Sequence, residues 1–308
     1  MHALIPFASA SSEVAAHVLR DLSLPVLTRL LQRLAPTQRD DGDEFTLSPP
    51  HERALARAWG WPQADGALPF AAKAAIEDGI AVGDVAWGLL TPAHWVAGRD
   101  HVTMVAPEAL ALDANDSRAL FEAVRPLFES EGFVTAWGAP TRWYVAHPSL
   151  EGLPCASLDR VVGRSIDTWL PKTDQGRLLR RLQSEVQLTL HTHPINEARE
   201  AREAPVVNSF WISGCGVSRP TAMGVQCMGA LRVPLLSLDW SGWAEAWREL
   251  DAGPMRALLQ CAEAGQSVAL TLCGERSSQG FESQSHSILQ RLARRWQAAP
   301  AHAVLEGL

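Results

Sequence analysis

The chain has 308 residues, 47% of them hydrophobic and 20% charged, which suits one large or two smaller globular domains and excludes a disordered chain. A net charge of -7 and a pI near 5.8 argue against a general binder of nucleic acid or of acidic membrane. The five cysteines, Cys155, Cys215, Cys227, Cys261 and Cys273, are odd in number and form no CxxC pair, so reduced thiols are expected rather than a disulfide framework or a zinc ribbon.

The opening "HALIPFA" predicts a short strand, and "LPVLTRLLQRLAP" carries apolar residues at helical spacing after a proline start. "TQRDDGDEFTLSPP" is polar and broken by Gly and Pro, which predicts a loop; "HERALARAWGW" and "LPFAAKAAIEDGI" predict helices, the second ended by Gly79. "GDVAWGLLTPAHWVAGRDHVTMVAP" alternates like paired strands with a turn near "AGRD". Asp116 to Glu129 is amphipathic, with Leu120, Val124, Leu127 and Phe128 on one face and a cap near Asp116 or Ser117. "GFVTAWGAPTRWYVAHP" predicts a hairpin.

Gly176 to Arg202 is helical apart from Pro194, with the basic run "RLLRRLQSE" as a solvated face. "VVNSFWIS" and "LRVPLLSLDW" are expected as strands, "WAEAWRELDAGPMRALLQCAEAG" as helix, "SVALTLCG" as a buried strand and "SHSILQRLARRW" as a closing helix. Strands alternating with helices predict an α/β sheet, and the strand pairs in the middle predict a smaller α+β insertion. The start of the chain lacks a basic segment before a long apolar run, and no stretch reaches the roughly 18 apolar residues of a membrane span, so a cytoplasmic protein is expected.

The order of certain segments resembles the archaeal-type, cofactor-independent phosphoglycerate mutases of the alkaline phosphatase superfamily. "HPINEAR" followed by "APVVNSFWISGCG" is similar to the family's HPVN, Arg, Pro and a strand ending WLWGxG. "LDRVVGRSIDTWLPKTDQGRLLRRL" is similar to its DxxGK, YLP and LLRR run, and "GAPTRWYVAH" to its GxxYRxLLV. "LPFAAKAAIEDGIAVGDVAWGLLT" looks like PLEAAxxGIxLxxGDVAFRxNLVT. The chain also resembles a bacterial group of predicted phosphoglycerate mutases known as regulatory proteins of the RpfE type. The resemblance implies an alkaline-phosphatase-like core sheet flanked by helices, at 1–83 and 173–308, with an inserted α+β domain at 84–172.

The family's reaction implies phosphoryl transfer through a phosphoserine with two divalent metals, so several Asp and His ligands must converge. Three separated motifs depart from that pattern. The first strand runs into Phe7, Ala8 and Ser9 where an acidic ligand is expected. His51 and Glu52 stand in the register of the nucleophilic Ser and its Asp, and Ser48 is off register before two prolines. The late strand reads "VALTLCGERSSQGFES", which lacks the family's His and retains Glu275 and Glu282. No catalytic residue and no metal ligand can be assigned on this pattern, and no cofactor is expected.

The candidate ligand-binding residues are those the resemblance carries elsewhere. Arg142 matches the Arg of the YR pattern, Arg164 takes the place of a Lys, and Asp159 matches an Asp whose usual preceding His is Leu158. Guanidiniums suit phosphate or carboxylate, and the competing reading is an ordinary ion pair. His193, Asn196, Arg199 and Asn208 match the later motifs; their competing reading is capping and local backbone pairing. His191 and His193 lack the ligand count of a metal site. Gly214 and Gly216 suit either backbone approach to an anion or a tight turn. Cys215 between them has no assignable base and is read as a packed thiol.

The resulting expectation is a catalytically degenerate, non-enzymatic protein that regulates or binds an anionic or phosphorylated metabolite. The alternatives are an active mutase or phosphatase with a rebuilt Mn or Zn site drawn from His51, Glu52, Glu275 and His193, and a protein-interaction scaffold using Trp240, Trp243 and Trp247. Neither nucleic acid nor a membrane is expected as a partner.

Overall fold

A computed structural model describes residues 1–222, 224–283 and 300–308. In chain order the elements are β1 (His2–Ile5), α1 (Glu13–Asp21), α2 (Pro25–Leu31), β2 (Leu34–Asp41), α3 (Pro50–Ala58), α4 (Phe70–Glu77), β3 (Ala86–Ala93), β4 (Trp95–Ala97) and β5 (Val102–Met104). Then follow α5 (Ala114–Glu129), β6 (Val134–Ala139), β7 (Arg142–Ala146), α6 (Leu158–Val161), α7 (Asp174–His191), α8 (Pro194–Glu200), β8 (Ser209–Val217), β9 (Val225–Cys227), α9 (Arg232–Leu236), α10 (Trp240–Ala252), α11 (Pro254–Glu263), β10 (Ala269–Cys273) and β11 (Ser277–Ser283), with a last short helix at Ala301–Glu306. The fold is mixed α/β, with sheets flanked by helices. The expected closing helix "SHSILQRLARRW" lies outside the described residues.

Two compact units divide the chain: Met1–Phe45, Pro49–Gly60 and Thr221–Leu308 form the first, and Thr46–Ser48 with Trp61–Pro220 form the second. The division differs from the expected boundaries, which placed 61–83 and 173–220 with the core and made the insertion the smaller part. The second unit holds more than half of the chain. The physical reason is sheet pairing: β8 lies antiparallel to β3, and α4 and α7 pack on β8 and its neighbours.

The first unit is a five-stranded sheet in the order β2-β11-β10-β1-β9. The strand β1 is parallel to β10 and β9, whereas β11 runs antiparallel to β10 and β2. Leu4, Ile5, Leu270 and Leu272 are fully buried, the near-continuous apolar signature of a parallel strand covered on both faces; each such side chain contributes roughly 2 kcal/mol of burial. The carboxylate of Asp251, in α10, accepts the Leu27 amide at 2.7 Å and the Val26 amide at 3.2 Å. It thereby supplies the start of α2 with partners that Pro25 and Leu24 cannot.

Two expectations in this unit are corrected. "TQRDD", expected as loop, is the outer part of β2, paired with β11 in the register Asp41↔Ser277. As the sheet's edge, β2 exposes its polar residues and tolerates Pro36, so it shows no apolar alternation. "LRVPLLSLDW", expected as a strand, is the short helix α9 followed by the Asp239 cap of α10. Pro234 falls in its first turn, where a missing N–H costs nothing. The helix α1 and the strand β11 were not anticipated.

The second unit is an antiparallel sheet, β6-β7-β3-β8, with the separate hairpin β4-β5 turning at 98–101 as "AGRD" predicts. Asp113, not Asp116 or Ser117, caps α5 by accepting the Asn115 and Asp116 amides. The hydroxyl of Ser117 is instead a buried hub: it donates to Pro140 O at 2.8 Å and accepts the indole N–H groups of Trp143 and Trp137 at 2.9 and 3.0 Å.

Candidate functional site

Three parallel strands, β9, β1 and β10, direct their carboxyl ends to one edge of the first unit. Edges of this kind collect ligands in open α/β sheets, and it is here that the resemblance implies metal. Beyond β1 the chain bends at Phe7, whose φ of 58° is left-handed and costs a side-chain-bearing residue about 1 kcal/mol. The bend is held by named bonds: Ala8 N donates to Cys273 O at 2.8 Å, and Trp243 Nε1 donates to Phe7 O at 3.0 Å. The Phe7 ring then lies against the His51 ring, centroids 5.1 Å apart at 40°. His51 is buried in the first turn of α3.

The rest of the edge is equally specific. The thiol of Cys273 is fully buried, and burial pushes it far above the ordinary thiol range. Glu275 accepts the Ser11 amide at 3.0 Å. Asp40 is desolvated, which opposes its ionisation, yet bonds from Arg53 at 2.9 Å and Arg57 at 2.7 Å outweigh this and hold its carboxyl below the usual range.

The two retained carboxylates do not converge. Glu275 lies past the end of β10, while Glu282 pairs across from Ala269 at the start of β10. Four residue steps along β10 alone separate them by about 13 Å. A two-metal centre needs anionic and imidazole donors around one point. Here an aromatic ring and a buried thiol stand at that point and Glu282 lies at the far end of the strand, so the residues present do not fit the metal pair. Among the described residues no group of three or more His, Cys, Asp or Glu is placed to hold an ion.

The sequence-derived ligand residues all belong to the second unit. Arg142, at the start of β7, makes a two-pronged pair with Asp78 just past α4: Nε to Oδ2 at 2.9 Å and Nη2 to Oδ1 at 2.7 Å. Tyr144 donates its hydroxyl to the same Asp78 at 2.6 Å. The Arg142 bond holds the Asp78 carboxyl low against the opposing effect of burial, and burial with the Asp78 bond pushes the Tyr144 phenol well up.

Asn196 is buried in α8 and closes a ring of backbone bonds. Its Nδ2 donates to Leu190 O and Val207 O at 2.8 and 2.7 Å, and its Oδ1 accepts the Val207 amide at 3.0 Å. Arg199, 1% exposed, donates to Pro205 O at 2.8 Å and to Leu110 O, with Asp116 at 4.0 Å; burial lowers its pKa from the free guanidinium value. Asn208 bonds both the amide and the carbonyl of Trp95, at 2.7 and 2.8 Å. Three of the seven candidates therefore gather around 205–208: Asn196 and Arg199 bond the backbone of that stretch, and Asn208, within it, bonds the backbone of Trp95.

His193 caps α8, its Nδ1 accepting the Ile195 amide at 3.3 Å, while His191 ends α7 in solvent. Asp159 starts α6 with its amide on Ser157 Oγ at 3.3 Å, and Arg164 follows that helix with its amide on Val161 O at 2.9 Å. The Ser48 hydroxyl accepts the Gly66 amide at 2.8 Å. Gly214 has φ 65°, and a Cβ there would stand 2.8 Å from the Ala71 amide, so its role is close packing of α4 on a bent strand. Trp243 and Trp247 are fully buried; their helical stripe faces the core. Reasoning from sequence missed Ser117, Asp78 and the pairing of Cys155 with Cys215. Their partners are distant along the chain, and no local pattern marks them.

No family model matches the sequence, and no curated protein matches it. Among solved structures, the chain is similar to a cofactor-independent phosphoglycerate mutase from Thermoplasma acidophilum, with 12% identity and a TM-score of 0.37 over 93% of this chain and 90% of that one. It is also similar to the PH0037 protein from Pyrococcus horikoshii, with 12% identity and a TM-score of 0.48 over 92% of this chain and 87% of that one.

Proposed function

We propose that this chain is a catalytically degenerate, phosphoglycerate mutase-like protein that acts by binding rather than by phosphoryl transfer, in a regulatory role or as a receptor for an anionic metabolite. The observation that carries the reading is the Phe7 ring on His51 at the carboxyl end of β1. An aromatic ring offers a divalent ion no charge and no lone pair, and it occupies the place where the motif order calls for an acidic ligand. The selective departure at three motifs, beside well-kept scaffold motifs, supports the same reading. The same proposal takes the chain to be cytoplasmic and akin to the RpfE-type regulatory group that its motifs resemble.

The rebuilt-metal alternative, drawn from His51, Glu52, Glu275 and His193, gains no support from this arrangement, since among the described residues no group of three or more His, Cys, Asp or Glu is placed to hold an ion. The tryptophan-stripe alternative loses two of its three side chains to the core.

The test is metal content and turnover measured on one sample. Purified protein is loaded with manganese, desalted, analysed by mass spectrometry and assayed with 3-phosphoglycerate, while calorimetry follows 3-phosphoglycerate binding. The expected result is substoichiometric metal and turnover no higher than a blank. Near-stoichiometric metal together with turnover would overturn the proposal.

A further inference from the structure

Cys155 and Cys215 are separated by 60 positions in sequence, yet their Sγ atoms stand 3.6 Å apart inside the second unit. Both side chains are buried. Three features of the backbone build this approach. First, β8 carries a bulge: Ser213 faces Leu89 and Gly216 faces Trp87, so Gly214 and Cys215 together oppose Gly88. Such a bulge re-aims the side chain it carries.

Second, Gly88 leaves room for the thiol, because a Cβ there would meet Cys215 Sγ at 3.2 Å and Ile212 Cδ1 at 3.0 Å. Third, the segment holding Cys155 is bonded on both sides of the sulfur. Cys155 N donates to Gly66 O at 2.9 Å, and Trp211 Nε1, from β8 itself, donates to Ala156 O at 2.9 Å. Gly66 permits the first of these: its φ is 73°, and a Cβ there would lie 3.0 Å from the Cys155 amide.

We propose that Cys155 and Cys215 are a reversible redox clip: a peroxide-class oxidant joins them as a disulfide that ties β8 to the segment leading into α6. The sulfurs need to close from 3.6 Å to about 2.05 Å, within the reach of small side-chain rotations. In the first step one thiol, as its thiolate, attacks a peroxide oxygen. The O–O bond breaks, a sulfenic acid forms and one water leaves. In the second step the other thiol attacks the sulfenic sulfur; the S–S bond forms and a second water leaves. Two thiols lose two electrons in total and hydrogen peroxide is reduced to two waters.

The rate has a built-in brake. The hydrogen bond with Cys155, then burial, push the Cys215 thiol well above the ordinary range, so thiolate is scarce at neutral pH and oxidation waits on local opening. The clip would close on the segment that leads to Asp159 and Arg164, so its redox state can alter that surface of the second unit.

The test uses the full chain. Protein is treated with hydrogen peroxide at pH 7 and pH 9, quenched, unfolded in N-ethylmaleimide and mapped by mass spectrometry after trypsin and chymotrypsin. The expected result is a Cys155–Cys215 cross-linked peptide that dithiothreitol abolishes and that forms several-fold faster at pH 9. Oxidised protein should melt about 5 °C higher than reduced protein, a shift that Cys155→Ser abolishes. Should that variant fail to fold, the wild-type map decides alone. Recovery of both Cys155 and Cys215 as maleimide adducts, from protein whose exposed Cys227 has been oxidised, would overturn the proposal.

Discussion

At the carboxyl end of β1, in the first unit, a phenylalanine ring rests on a histidine ring and a cysteine thiol is buried at the end of the neighbouring strand. Around residues 205–208, in the second unit, an arginine and two asparagines are each bonded to several backbone groups. The first region lies at the carboxyl ends of parallel strands, and there an aromatic pair and a buried thiol stand beside the Asp40 ion pairs. The second has the polar residues of a ligand site, with those residues engaged in holding the backbone. Residue type therefore predicts chemistry only when the side chain's own bonds are known. An arginine that bonds two backbone carbonyls and pairs with an aspartate within its own unit serves the fold before it serves a ligand.

The sharpest way to break this comparison is to remove the second region's central cation. Arg199→Met keeps much of the apolar stem but leaves Leu110 O and Pro205 O without their buried donors. The expected loss is about 3 kcal/mol, read as a fall in Tm of roughly 6–12 °C. A near-neutral variant would mean that the guanidinium is not structural, and a ligand role would return to it.

A smaller effect is expected at the Asp78 pair. Arg142→Ala removes a two-pronged bond, but the Arg142 side chain is 45% exposed, and solvent screening limits the loss to about 1 kcal/mol. The Asp78 pKa is depressed in the folded chain. Its contribution is therefore present above the unfolded value of about 3.9 and lost as pH falls through the folded value. Urea unfolding should show wild type more stable than the variant at pH 7, with the gap shrinking at pH 3. A gap that persists unchanged in acid would show that the bond's charge is not what stabilises it.

An effect of the same size concerns Phe7. Both Phe7→Gly and Phe7→Ala delete the ring contact with His51, but only glycine relieves the left-handed φ of 58°. The glycine variant should be the more stable by about 1 kcal/mol. Equal stabilities would mean that the bend beyond β1 relaxes when the ring leaves.

Much of the architecture is legible along the chain. Local signals suffice for β1, the helices α3, α4, α7 and α10, and the β4-β5 hairpin. In each, period, proline and glycine act within a few residues. The elements that escaped are those whose partners are remote. The strand β2 is an edge that only β11 makes into a strand, and α9 reads as apolar extended chain until Pro234 is placed in a first turn.

The same line divides the functional residues. The resemblance in the order of motifs sets Phe7, His51 and the late strand against positions where the resembled family carries acids and histidines, and that comparison needs the sequence alone. Sequence also marks Arg142, Asn196, Arg199 and Asn208 as unusual. Only the tertiary structure decides that Arg142 is matched by Asp78, that Asn196, Arg199 and Asn208 bond backbone, and that Cys155 meets Cys215 at 3.6 Å. The physical reason is range. Periodicity and turn chemistry act through neighbouring residues, whereas a buried hydrogen bond or a sulfur contact forms between chain positions that sheet pairing alone brings together.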